Sequence, residues 1–372
     1  MSSRGSLKGR SPKPATHGGI DYAELEALGL KPGEVLDFSA NINPFGPPPG
    51  LREALERVDI SSYPDSGSGR LRKALAEKLG LGPDSIIAGN GSTEIMRLAA
   101  LAFFRPGDRV LVIEPAFGEY EVSCRIAGAE VVKHVLKAED GFALKVSEVA
   151  KLAAECRPAG LFVTNPNNPT GKYYSREVIE EVLASPFAAD SLIVLDEAYL
   201  GFVDPPGAAW SSLDLIERHN LLILRSMTKD YALAGLRLGY GVAGKEIIAR
   251  LRSICPPWNV NAAAQEAGLY VLKEERYLEK SLSDIRKVKA HLVEGLKKLG
   301  FNPEPSATNF FLIETGNGAL WRRELLKRKI LARDCASFGL PGHIRISVRT
   351  REDCDKLLEG MKGVKGRLDG KL

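Results

Sequence analysis

Short apolar runs alternate with stretches of helical periodicity through the middle of the chain, and that alternation predicts a parallel sheet covered by helices. The runs are SIIAGN (85–90), RVLVIEP (109–115), GLFVTNP (160–166), SLIVLDEAY (191–199) and LLILRSM (221–227). Each ends in a short polar or glycine-bearing phrase. In a parallel sheet those phrases converge on one edge, where open α/β sheets bind their ligands. Beyond residue 255 the texture changes. A charge-laced helical region from about Asn259 to Gly300 precedes ATNFFLIE, a helix rich in Arg and Lys, HIRISV and a final helix, which reads as a smaller α+β domain. The N-terminal phrases HGGIDYAELEALGL and LDFSANINPFGPPPG are rich in turn formers and predict an extended arm packed against that smaller domain. The expected organisation is a flexible tail 1–16, an arm 17–50, a large α/β/α domain 51–255, a small domain 256–364 and a second flexible tail 365–372.

Composition adds limits. At 372 residues the chain exceeds one typical domain of roughly 100–200 residues. The net charge of +4 equals the contribution of Arg4, Lys8, Arg10 and Lys13, so the folded body is near neutral and no basic face for nucleic acid is expected. The leader has neither the apolar pattern to fold nor the apolar run of a signal peptide. No apolar stretch approaches the roughly 18–20 residues of a membrane span. The five cysteines are scattered and form no CxxC pair, which reads as a reduced, cytoplasmic protein without a structural metal.

The strand ends carry the chemistry. GNGSTE (89–94) follows a strand and opens a helix, so the N–H groups of Gly91, Ser92 and Thr93 can hold an anion, although an ordinary N-cap reads the same. The GxGxxG spacing fails at its last position, which disfavours a dinucleotide site. EPAFGEYE (114–121) offers Phe117 as a stacking ring or as core. NPNNPTG (165–171) holds more turn formers than a tight turn needs, and Asn168 is either an Asx turn or a donor to a ligand oxygen. Asp196, at the end of an apolar strand, needs a partner, and a protonated ring nitrogen, an arginine or a helix terminus would serve. In SMTKDYALAGLRLGY (226–240), Ser226 and Arg237 can grip a phosphate beside a carbonyl that Lys229 attacks. Together these features describe pyridoxal phosphate, with Asp196 keeping its ring nitrogen protonated and Asn168 and Tyr199 holding its phenolic oxygen.

NPNNPTG, DEAY and SMTK with an arginine eight residues beyond the lysine resemble the fold-type I, class I/II aminotransferase superfamily of pyridoxal phosphate enzymes. The resemblance implies that Lys229 binds the cofactor, Asp196 pairs with its nitrogen, and Gly91, Ser92, Thr93, Ser226 and Arg237 bind its phosphate. SYPDSGSG (62–69) resembles the family segment whose tyrosine reaches the neighbouring subunit's cofactor, which implies a homodimer with Tyr63 crossing between subunits. Two branches compete, histidinol-phosphate aminotransferase and the threonine-phosphate decarboxylase of cobalamin biosynthesis. HGG (17–19) with DFSANINPFGPP, and PPWNVNAAAQEAG (256–268), are similar to the decarboxylase phrases. The resemblance gives Arg345 in HIRISV as the grip for the substrate carboxylate, where the residues alone favour a surface arginine at a strand edge. Asn43, Asn309, Arg349 and His17 are its further candidates for orienting substrate.

Overall fold

The computed structural model describes residues 14–370, so the basic leader through Lys13 and the final residues 371–372 lie outside the described residues. The first two-residue strand, β1 (Leu36–Asp37), belongs to the arm. The main sheet contains β2 (Ile86–Asn90), β3 (Arg109–Glu114), β4 (Glu130–Val135), β5 (Gly160–Thr164), β6 (Leu192–Asp196), β7 (Leu221–Ser226) and β8 (Leu238–Ala243). Its order is β2-β8-β7-β6-β5-β3-β4. Strands β3 to β7 pair in parallel, as the apolar runs predict, while β8 runs antiparallel to both β2 and β7.

The apolar pattern identifies five of these strands and passes over two, for different reasons. In β8 the sequence LGYGVA hides a strand behind glycines, because a side chain cannot fit there: a Cβ on Gly239 would lie 2.4 Å from the Ser92 backbone nitrogen. The edge strand β4, EVVKHV, is partly exposed along its length and carries polar residues accordingly.

Alternate residues of the central strands feed two separate cores, which makes the sheet the middle of three layers. On one face Ile193, Leu195, Leu161, Val163, Leu221 and Ile223 pack together; on the other Leu192, Val194, Phe162, Leu222 and Leu224 do. A third cluster joins Leu71, Leu75, Ile86 and Leu238 to Val260, Ala264, Ala267 and Val271. Residues 260–271 therefore pack with the large unit, and the boundary expected at 255/256 falls too early. The helical region expected as one stretch is two helices, Ala262–Val271, capped by Asn261, and Glu275–Lys298.

The smaller unit has the antiparallel order β11-β12-β9, from β9 (Phe310–Glu314), β11 (Arg333–Asp334) and β12 (His343–Ser347). Its core includes Ile285, Leu292, Phe311, Ile313, Leu325, Ile346, Leu357 and Met361. The last helix, Arg351–Leu368, runs past the boundary expected at residue 364, and Lys365 Nζ donates to Leu299 O at 2.7 Å. The arm is not wholly extended: it carries a helix, Tyr22–Ala27, capped by the Asp21 carboxylate, and β1 pairs in parallel with β10 (Ile330–Leu331). Arm residues Leu25 and Val35 pack on Leu326 and Leu331 of the smaller unit. No helix among the described residues is long and apolar enough to cross a membrane.

Candidate active site

A cavity of about 830 Å³ opens where the carboxyl ends of the large sheet face the smaller sheet and the arm. Of the residues singled out in the sequence, Thr93, Phe117, Asn168, Tyr199, Lys229, Arg237, Arg345 and His17 line it. Asn41 and Arg333, which the sequence reading passes over, line it as well.

The phosphate side begins at the turn between β2 and the helix Ser92–Phe103. Gly91 has φ +74°, and a Cβ there would lie 2.8 Å from Arg237 Nη2, so the guanidinium rests against the glycine and faces the helix N-terminus. Arg237 Nη1 donates to Ala234 O at 3.0 Å. The hydroxyls of Ser226 and Thr228 are 2.7 Å apart, which brings Thr228 into the same group. N–H groups at a helix start, two hydroxyls and a guanidinium without a carboxylate partner form a donor set suited to a phosphate dianion.

Asp196 ends β6 only 4% exposed. Its Oδ1 accepts from Ala198 N at 2.9 Å and its Oδ2 from the Tyr120 hydroxyl at 2.7 Å. Burial pushes this carboxyl above its ordinary pKa, while the Tyr120 hydroxyl, the Ala198 N–H and the charge of Lys229 pull it back. A buried carboxylate in this balance is satisfied by a cation placed against it, as a protonated pyridine nitrogen would be. Tyr120, with its hydroxyl also 2.9 Å from Thr164 Oγ1, is part of the site that the sequence did not reveal. Nothing local marks a tyrosine whose partner lies 76 residues further on.

Tyr199 presents its ring 6.0 Å from Lys229 Nζ, and its hydroxyl accepts from Asn41 Nδ2 at 3.4 Å. Asn168 Oδ1 accepts from Arg345, which leaves the amide N–H group of Asn168 as a donor. Phe117 holds its ring edge-on to Tyr120. The residues present therefore fit pyridoxal phosphate: a phosphate cradle, a buried carboxylate, a phenol with an amide, a flanking ring and a lysine. Among the described residues, Lys229, Arg237, Arg333 and Arg345 take part in none of the ion pairs.

On the opposite wall, Arg345 is no surface residue. It sits on β12, the central strand of its sheet, at 4% exposure, with Nη2 donating to Ser39 O at 2.6 Å. Its strand partner in register is Arg333, 7% exposed, whose Nη2 donates to Thr16 O and to Ser337 Oγ, each at 2.7 Å. The Nε of both arginines is buried without a hydrogen-bond partner. Burial lowers the pKa of both, and in Arg333 the charge of Arg345 adds to it. Two adjacent guanidiniums drawn out of water without a counterion are unfavourable until anions reach them. Thr16, expected in the flexible tail, is held by one of these arginines. His17 beside it lies 2.9 Å from Glu119 Oε1, and the other oxygen of that carboxylate accepts from Arg97 at 3.0 Å.

Three expected substrate residues do not line the cavity. Asn43 donates to Asp230 O and accepts from Phe45 N, so both ends of its amide are occupied by backbone. Arg349 is turned to Asp353 and to the carbonyl of Asp37. Asn309 is buried with its amide unpaired, away from the cavity wall. Tyr63 also lies outside its own chain's cavity, 80% exposed and stacked on Trp258 at 4.5 Å.

Known proteins resemble this chain in sequence and in fold. The family model described as aminotransferase class I and II matches residues 33–361. A histidinol-phosphate aminotransferase of Symbiobacterium thermophilum is 36% identical, over 91% of this chain and 92% of that protein. A protein of Caldanaerobacter subterraneus subsp. tengcongensis named "Putative threonine-phosphate decarboxylase" is 34% identical over 96% of each chain. The fold also superposes, with a TM-score of 0.85 at 24% identity, on the histidinol-phosphate aminotransferase of Sinorhizobium meliloti solved with pyridoxal-5'-phosphate, covering 94% of this chain and 95% of that one.

Proposed function

We propose a function from one premise: the chain belongs to the class I and II aminotransferase family, and its cofactor is pyridoxal 5'-phosphate. The proposed reaction is decarboxylation of L-threonine O-3-phosphate to the phosphate ester of 1-amino-2-propanol. The observation that carries it is the register pair Arg333 and Arg345, two buried guanidiniums without counterions on one wall of the cavity. A small substrate bearing both a carboxylate and a phosphate supplies one anion to each.

The cofactor, when bound, supplies an electron sink for negative charge at the substrate's α-carbon. The protein's part is orientation and proton handling. Asp196 would hold the pyridine nitrogen protonated, its carboxylate oriented by the hydrogen bond from the Tyr120 hydroxyl. Lys229 would anchor the cofactor, and its amine would be the group that returns a proton to the substrate's α-carbon. Arg345 and Arg333 would hold both ends of the substrate, and so would orient the α-carbon bond that breaks. Tyr63, exposed and away from its own cavity, completes the phosphate site of a second subunit in a homodimer.

A second reading, transamination of histidinol phosphate, is favoured by the name of the Symbiobacterium relative. The same arginines would then take a phosphate in one half-reaction and a dicarboxylate in the other. Two assays separate the readings. O-phosphothreonine without an amino acceptor should release carbon dioxide; glutamate formation from 2-oxoglutarate that depends on histidinol phosphate, with no carbon dioxide from O-phosphothreonine, would replace decarboxylation by transamination.

A further inference from the structure

Lys229 lies in an irregular segment between β7 and β8, so its position depends on what ties that segment to the rest of the protein. Two of those ties come from one arm residue. The backbone N–H of Asn43 donates to Lys229 O at 2.9 Å, and its side-chain Nδ2 donates to the next carbonyl, Asp230 O, also at 2.9 Å. The remaining amide atom, Oδ1, accepts from Phe45 N at 3.0 Å and fixes the turn that follows. At 2% exposure the side chain has no access to substrate.

The same short arm segment holds two further site groups. Ser39 offers its carbonyl to Arg345 Nη2 and its hydroxyl oxygen to Gly19 N, and Asn41 donates to the Tyr199 hydroxyl. Residues 39–43 thus touch Arg345, the phenol of Tyr199 and the lysine's backbone in succession. We propose that Asn43 is a positioning residue for Lys229, and that the arm segment 39–43 sets the distance between the lysine and Arg345. The proposal rests on the cofactor reading and is independent of whether the reaction is decarboxylation or transamination.

The physical reason is leverage. A proton donor displaced by about 1 Å from a productive geometry loses about 100-fold in rate. An unheld loop allows such displacement, since Lys229 is otherwise carried on turns, with Ala232 at φ +54° three residues on. In Asn43→Ala the backbone bond to Lys229 O remains while the bond to Asp230 O and the Phe45 turn are lost. In Asn43→Asp the acceptor for Phe45 N remains while the donor to Asp230 O becomes a second acceptor facing a carbonyl.

The test uses the holoenzyme, with whichever of the two phosphorylated substrates the wild type turns over. Both variants should bind cofactor, lower kcat about 10- to 100-fold with KM within about 3-fold, and shift the pH titration of the lysine–cofactor absorbance band by at least half a pH unit. Asn43→Asp should be as impaired as Asn43→Ala, because the lost bond is the one to the lysine segment. Unchanged kcat and titration, with only a lower melting temperature, would make Asn43 purely structural and overturn the proposal. A rise in KM with the titration unmoved would also overturn it, by assigning Asn43 to the substrate. A wild-type protein that shows no cofactor band would instead defeat the cofactor reading itself.

Discussion

The two walls of the cavity are built on opposite terms. On the sheet side, most polar groups already satisfy one another, Ser226 with Thr228 and Asp196 with Tyr120 and Ala198, while Arg237, bonded to Ala234 O, keeps its charge for the cofactor's phosphate. On the side of the smaller sheet and arm, Arg333 and Arg345 stand next to each other with charge uncompensated. The first arrangement is a finished socket for a resident cofactor. The second becomes favourable only when an anionic substrate arrives, and so places binding energy where it can orient the reacting bond.

Substitutions on the two walls should therefore fail differently. The largest loss is expected for Lys229→Ala, on the order of 10⁴-fold in kcat, with the absorbance band of the covalent linkage gone. Next comes Arg345→Ala: losing a buried charge partner removes about 2–5 kcal/mol, roughly 30- to 5,000-fold in kcat/KM, while the cofactor spectrum stays intact. An altered spectrum in Arg345→Ala would erase the distinction between the walls. Arg333→Ala sharpens it, since the loss should be about 10-fold or more greater for a phosphorylated substrate than for its unphosphorylated analogue. Tyr120→Phe keeps the ring and removes one donor to a charged group, so about a 10-fold loss in kcat is expected, with the cofactor band titrating at a shifted pH.

The smallest effect concerns stability. Asp230 lines a second cavity with Glu197, Arg225 and Tyr240, and burial pushes its carboxyl up to about 7 from the ordinary 3.8. A folded pKa above the unfolded one means that its contribution is complete below pH 4 and is lost as pH rises through 7. Thermal melts of the apoprotein should accordingly find Asp230→Asn gaining on the wild type between pH 5 and pH 8, by a few degrees at about pH 8. A constant difference across that range would contradict the assignment.

The contrast between the walls also explains what the sequence reveals. Groups at strand ends are legible because the strand fixes where the next residues go: Lys229, Tyr199, Asn168 and Arg237 line one cavity, and Asp196 ends the strand three residues before Tyr199. Tyr120 and Arg333 act through partners distant in sequence, Asp196 and Thr16, and carry no local mark. Asn41 and Asn43 differ by two positions in an irregular arm, and only the fold tells that the first lines the cavity while the second holds backbone. The same cause misplaces the domain boundary: the helix Ala262–Val271 has an ordinary sequence, and only the fold shows that its apolar face packs with Leu71, Leu75 and Leu238.

The central claim is that one lysine anchors pyridoxal phosphate among these strand ends. Reducing the cofactor-saturated protein with borohydride, digesting it and sequencing the labelled peptide tests this directly. The expected result is a single phosphopyridoxyl group on Lys229, in the peptide containing Ser226 to Arg237; a label on a different lysine, or none at saturation, would contradict the account.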